Sequence, residues 1–340
     1  MSRNVQTLIF LVALAGAVVL GGHYSRGDFP AEKKAQRGAF AVVARPIAGT
    51  EPIEGEPGAA LSEARSGLAS LGSVFRAVGR AFYPRKAGLP PALEASSYVV
   101  ADLATEELYA SRASGARWPI ASITKLMTAV IAADRIQSEA PIALTASDFS
   151  PESSASGLLI GDEYRARDLL KLALVASRNE AALALARQYG REAFVSEMNA
   201  RAKEWGMSDT SFQEPTGLSA ANQSTARDLV TLARKIFEEY PALFSVTRNP
   251  TVVVTELHTN TLRSISNSNA FSGELRFLGG KTGYTDEATG NLLTVFSWRG
   301  RPFVVAALGT LDRFGDTEKL FDWFTEHYWV EPSAVSRSSP

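Results

Sequence analysis

A chain of 340 residues, 45% of them apolar and 21% charged, can bury a substantial core in one large domain or two small ones. Its net charge of −1 offers no basic field for nucleic acid, and no Lys/Arg block of the needed size occurs. Without cysteine, thiol nucleophiles, disulfides and cysteine-ligated zinc are excluded. The scattered His23, His258 and His327 form no H-E-x-x-H and accompany no G-x-S-x-G, so a hydrolase built from this chain draws its base from another residue type.

From Asn4 to Ser25 no side chain is formally charged, and Leu8 to Leu20 is almost wholly apolar. With Arg3 ahead of it, this is the layout of a secretory signal over residues 1–22. A membrane anchor is the competing reading, because the run approaches the length that crosses a bilayer. Arg26, Lys33, Lys34 and Arg37 outnumber the positive charges before the run, which for an uncleaved anchor favours the catalytic part inside. Residues 23–96 are rich in Ala, Gly and Pro and read as a tether. Within it, Leu61, Ala64, Leu68, Leu71, Phe75, Val78 and Phe82 form a helical stripe, a candidate helix over 59–82. Gly67, Gly72 and Gly79 weaken any free helix there, so the stripe is read as packing on its own domain rather than on a membrane or a partner.

The compact domain is expected over 97–329, followed by a disordered tail at 330–340. Tyr98 to Leu103 and Glu107 to Ala110 resemble paired strands across a tight turn. Helical patterns follow at Thr124 to Ala133, Arg167 to Ala176, Ala181 to Tyr189, Ala193 to Trp205 and Ala226 to Tyr240. Gly206 is placed to stop one of them and Thr225 to cap another. Strand signals return at Thr251 to Leu257, Arg276 to Lys281, Asn291 to Trp298 and Phe303 to Leu308, with Arg299-Gly300 as a turn, and Glu318 to Tyr328 closes as a helix. Strands at both ends with helices between them predict an α+β domain, a helical lobe beside an antiparallel sheet.

Three short motifs carry the chemistry. Ser122-Ile-Thr-Lys125 opens an apolar helix, where residues three apart share a face, so hydroxyl and amine can touch. By itself the motif is weak: about one S-x-x-K is expected by chance in such a chain, and Ser122 would then only cap its helix. Ser177-Arg178-Asn179 lies between two helical runs, where small polar residues ordinarily turn and cap. Lys281-Thr282-Gly283 sits inside a strand pattern. A phosphate loop would need a glycine where Leu275 stands and a helix after the lysine, so that reading is rejected. Gly283 on a strand lets a ligand approach the backbone closely.

In this order the three motifs resemble those of the penicillin-recognising serine enzymes. Trp118-Pro-Ile-Ala-Ser-Ile-Thr-Lys-Leu-Met-Thr-Ala129, Leu174 to Ala182, Glu214-Pro-Thr-Gly-Leu218, Ser224 to Asp228 and Gly280 to Thr285 are similar to the D-alanyl-D-alanine carboxypeptidase/endopeptidase family. The resemblance covers about Ser97 to Trp323. It implies a β-lactamase/transpeptidase-like fold, a five-stranded antiparallel sheet flanked by helices plus an all-helical lobe. It also implies stem peptides of peptidoglycan ending in D-Ala-D-Ala as substrate, β-lactams as covalent inhibitors, no metal or cofactor, and a place in the periplasm or on the outer face of the cytoplasmic membrane. Arg178-Asn179-Glu180 departs from the commoner glycine-asparagine-aspartate. The chain also ends soon after the last strands, which is similar to the endopeptidase branch and leaves the bond preference open between the two activities.

The roles implied are these. Lys125, crowded by Lys281 and partly desolvated, takes the proton of Ser122, which attacks the penultimate D-alanine carbonyl. Ser177 passes a proton to the leaving amine, and Asn179 holds the substrate amide or Lys125. Lys281, Thr282 and Gly283 line the carboxylate site. The backbone N–H groups of Ser122 and Tyr284 form the oxyanion hole. A class A β-lactamase is the nearest rival, with Glu214-Pro215 at a suggestive separation from Ser177, but Thr216-Gly217-Leu218 follows as in the peptidases. An inactive wall-binding homologue is the rival from another class, and the intact motif residues argue against it.

Overall fold

The computed structural model describes residues 82–149 and 157–330. Strands β1 (Phe82–Pro84), β2 (Ser97–Asp102), β3 (Leu108–Arg112) and β4 (Trp118–Pro119) lead to helix α1 (Thr124–Arg135). After β5 (Pro141–Ala143) and β6 (Glu163–Arg165) come helices α2 (Ala166–Val175), α3 (Asn179–Tyr189) and α4 (Arg191–Glu204). β7 (Gln223–Ser224) precedes α5 (Ala226–Glu239) and α6 (Pro241–Thr247), and β8 (Thr251–Glu256) pairs with β9 (Thr261–Ser266). The chain closes through β10 (Phe277–Thr285), β11 (Thr289–Trp298), β12 (Arg301–Thr310), α7 (Arg313–His327) and β13 (Tyr328–Val330).

The main sheet has the order β10-β11-β12-β2-β3 with antiparallel neighbours, the expected five-stranded α+β arrangement. Its central strands read as continuous apolar runs because both faces are covered. Alternation then sorts side chains by face. Val99, Ala101, Leu293, Val295, Val304, Ala306 and Leu308 join the core of the helical lobe. Tyr98, Val100, Leu292, Phe296, Phe303 and Val305 join a second, aromatic core with Phe321 and Phe324 of α7.

Local signals act as expected at several boundaries. Thr225 Oγ1 accepts the Asp228 N–H at 3.0 Å and caps α5, and Gly206 at φ +79 follows the end of α4. Arg299 and Gly300, both with positive φ, make the two-residue turn between β11 and β12. Helix α7 begins at Arg313 rather than at Glu318, because Asp312 caps it by accepting the Gly315 N–H at 2.9 Å. Helix α6, with Pro241 at its first position, and strand β9 were not expected. The candidate helix over 59–82 lies outside the described residues except at Phe82. That residue sits in strand β1, paired with Val330 of β13 and fully buried against Tyr109, Phe303 and Phe324. The N-terminal apolar run and residues 331–340 also lie outside the described residues. Among those described, no helix is long and apolar enough to cross a membrane.

Candidate active site

The segment that carries Ser122 is pinned before α1 begins. The Ile120 N–H donates to the Asn222 carbonyl at 3.0 Å, and Asn291 Nδ2 donates to the Pro119 carbonyl at 2.8 Å. Ala121 turns the chain at φ +47, and a 3₁₀ turn over Ala121–Ile123 delivers Ser122. Neither that turn nor α1 has a side-chain cap, so the Ser122 hydroxyl is not spent on the helix end.

One turn on, Lys125 is fully buried and its Nζ donates to Ser122 Oγ at 2.8 Å, Asn179 Oδ1 at 2.7 Å and the Thr216 carbonyl at 2.7 Å. All the donors of an ammonium are thereby engaged. Burial lowers its pKa to about 7 against the opposing pull of Glu214 and Glu180. Lys281 is buried close to Lys125, and burial first, then the charges of Lys125 and Arg313, push its amine well below its ordinary value.

Ser177 leaves the end of α2 at φ +59, an uncommon setting for a residue with a Cβ. Its Oγ accepts from Lys281 Nζ at 2.9 Å, and the same amine donates to the Thr282 carbonyl at 2.9 Å. Thr282 Oγ1 lies 3.1 Å from Ser268 Oγ. Thus Ser122, Lys125 and Asn179 form one hydrogen-bonded group, and Ser177, Lys281 and Thr282 a second. At Gly283 a Cβ would stand 2.8 Å from the Ile120 carbonyl and 3.3 Å from the Ser122 N, so glycine lets β10 lie flush beside Ser122. Tyr284 is largely exposed beyond it, with its hydroxyl 3.3 Å from Asp286 Oδ1.

Two residues take their place from contacts that the sequence does not display. Glu214, which a lactamase would use to activate water, is set aside for that role by the Thr216-Gly217-Leu218 that follows it, and its contacts agree. Its Oε2 accepts from the Thr216 N–H at 2.6 Å and Thr216 Oγ1 at 2.5 Å, and its Oε1 from the Gly217 N–H at 2.6 Å and Asn222 Nδ2 at 3.0 Å. A carboxylate so engaged is a fastener, not a base for water. Arg313 was missed altogether. It is half-buried at the start of α7, pairs with no carboxylate among the described residues, and its charge acts on Lys281. Nothing marks it in the sequence, because only the packing of α7 on the sheet brings it to the motifs.

The family model of D-alanyl-D-alanine carboxypeptidases matches residues 85–310, a span that holds every motif residue above. The chain belongs to that family. It is 37% identical to a D-alanyl-D-alanine endopeptidase of Pseudomonas aeruginosa over 253 residues, 71% of this chain and 81% of that protein. It is 36% identical to a D-alanyl-D-alanine endopeptidase of Escherichia coli over 259 residues, 72% of this chain and 80% of that protein. Among solved structures it is similar to a penicillin-binding protein of Listeria monocytogenes with ampicillin bound. That match has a TM-score of 0.61 at 28% identity and covers 68% of this chain and 98% of the other. The chain is therefore a serine-type hydrolase with the α+β fold of penicillin-binding proteins.

Proposed function

We propose that the enzyme removes the terminal D-alanine from peptidoglycan stem peptides by way of an acyl-enzyme on Ser122, in the periplasm or at the outer face of the cytoplasmic membrane. One observation carries the reading: a buried amine, lowered to about 7, stands 2.8 Å from the serine hydroxyl. Neutral Lys125 accepts the Ser122 proton as Oγ attacks the penultimate carbonyl carbon. Developing oxyanion charge is met by the Ser122 and Tyr284 N–H groups, the former held in place by the packing of Gly283 and Gly217. Ser177 delivers its proton to the leaving amine of D-alanine and takes one from the ammonium form of Lys281, whose Nζ donates to its Oγ, while Lys125 holds the proton taken from Ser122. The C–N bond then breaks, and water later cleaves the ester.

The substrate carboxylate fits beside Lys281, Thr282 and Arg313. Lys281 has lost proton affinity through burial and two neighbouring cations, and an incoming carboxylate is the countercharge that restores its ammonium form. β-Lactams, which present an acyl group and a carboxylate in the same relation, are expected to acylate Ser122.

Endopeptidase activity is the second reading, favoured by the relatives from Pseudomonas aeruginosa and Escherichia coli that carry that name. Digestion of purified muropeptides separates the two. Loss of one terminal alanine from pentapeptides supports carboxypeptidase action, and splitting of cross-linked dimers supports endopeptidase action. Neither product, together with unlabelled Ser122 after exposure to a fluorescent penicillin, would overturn both.

A further inference from the structure

Glu214 opens the turn Glu214-Pro215-Thr216-Gly217-Leu218, and its two oxygens gather that turn's own donors, as described above. The buried backbone of this turn meets the segment from Ala121 into α1. The Thr216 carbonyl accepts Lys125 Nζ at 2.7 Å, and the Pro215 carbonyl accepts Thr128 Oγ1 at 2.6 Å. Gly217, at φ +87, packs so closely that a Cβ would lie 1.9 Å from the Ala121 carbonyl oxygen. Asn222, which donates to Glu214 Oε1, also donates to Thr124 Oγ1 at 3.2 Å and receives the Ile120 N–H. One carboxylate therefore holds together everything the turn presents to Ser122 and Lys125.

We propose that Glu214 is a positioning residue for acylation, holding the Thr216 carbonyl on Lys125 Nζ and supplying a countercharge to the ammonium form of that lysine. This rests on the reading of Ser122 and Lys125 given under Proposed function. Lys125 is faced by Glu214 from this turn, by Glu180 from α3, and by the Lys281 amine from β10. Burial outweighs both carboxylates, so removing one of them leaves the amine easier still to deprotonate. The turn also sets where the amine sits, and a shift of even a fraction of an ångström at a catalytic group is costly in rate.

The test is the pH profile of acylation by a fluorescent penicillin, measured on the full chain of wild type, Glu214→Gln and Glu214→Asp, with thermal unfolding as a check on folding. For Glu214→Gln the acidic limb is expected to move to lower pH by about one unit, with the plateau rate lowered about tenfold. Glu214→Asp keeps the charge but not the reach, so its limb stays with wild type while its plateau falls. A lowered plateau with an unmoved limb in Glu214→Gln would mean a merely structural role and overturn the proposal, as would two unchanged profiles. Should Glu214→Gln not fold, Glu214→Asp decides: an undiminished plateau overturns the positioning role. If wild type itself is not acylated, the Ser122–Lys125 reading fails and takes this inference with it. If wild type is acylated, only the Glu214 assignment is at stake.

Discussion

Gly217 rests on the backbone of Ala121, in a space so small that a methyl group on Gly217 would stand 1.9 Å from the Ala121 oxygen and 2.9 Å from the Ser122 nitrogen. Both obstacles are backbone, so neither can swing aside as a flexible side chain would. At φ +87 an L-residue is strained in any case. Gly217→Ala is expected to lower the unfolding free energy by about 3 kcal/mol and to slow acylation on the order of 10²-fold, by moving the Ser122 amide. Gly300→Ala is the control. It has φ +79 but nothing within 4 Å, so it should cost about 1 kcal/mol in chemical denaturation and leave acylation unchanged.

Acylation should depend on pH through Lys125. Only the neutral amine can take the Ser122 proton, and its pKa lies at about 7. The rate is therefore low below that value, rises through it and levels off above it. Stopped-flow acylation by a chromogenic β-lactam between pH 5 and 9 measures the midpoint. Lys125→Ala should lower the plateau by about 10²–10⁴-fold and abolish the limb, which a base elsewhere in the site would leave in place.

Glu256 ties the β8–β9 hairpin to β6. Its oxygens accept from the Glu163 and His258 N–H groups and from the N–H and hydroxyl of Thr259. The Thr259 hydroxyl and those backbone donors lower its pKa from 4.5 to about 2. Because the folded value lies below the unfolded one, its contribution is fully present above about 4.5 and is lost as pH falls toward about 2. Urea midpoints taken from pH 6 down to pH 2.5 should fall less steeply for Glu256→Gln than for wild type. Parallel slopes would show that the carboxylate does not titrate in this way.

Phe82 tests where the folded unit begins. Fully buried, it has ring centroids of Phe324 at 5.0 Å, Tyr109 at 5.7 Å and Phe303 at 6.0 Å. Phe82→Ala should cost about 3–5 kcal/mol, near the top of the range for buried aromatics. Acylation of the molecules that remain folded should be unaffected, since this aromatic core lies on the sheet face away from the helical lobe. A stability equal to wild type would place Phe82 outside the cooperative unit.

The elements with the strongest periodicity were legible. Strands β2 and β3, helices α1 to α5 and the turn at Arg299-Gly300 follow from alternation, caps and positive-φ residues within a few positions of one another. The motif residues were legible too, as an ordered set rather than singly. What escaped depended on contacts distant in sequence. Arg313 looks like any loop arginine until α7 is laid on the sheet, and the donors that close on Glu214 come together only when its own turn folds. Phe82 belongs to a helical stripe by spacing, but pairing with Val330 outweighs local propensity and makes it a strand. The low proton affinity of Lys125 was legible in part, because the apolar helix around it foretells the burial that lowers it.

The pairing of β1 with β13 also has a mechanical meaning. Phe82 faces Val330, so the two ends of the described segment lie side by side at one end of a two-stranded ribbon. Tension applied between Phe82 and Val330 would open that ribbon one rung at a time, the weak unzipping geometry, instead of shearing its bonds together. The main sheet, whose strands are interior to this clasp, would feel no load until Phe82 had been drawn from its aromatic pocket.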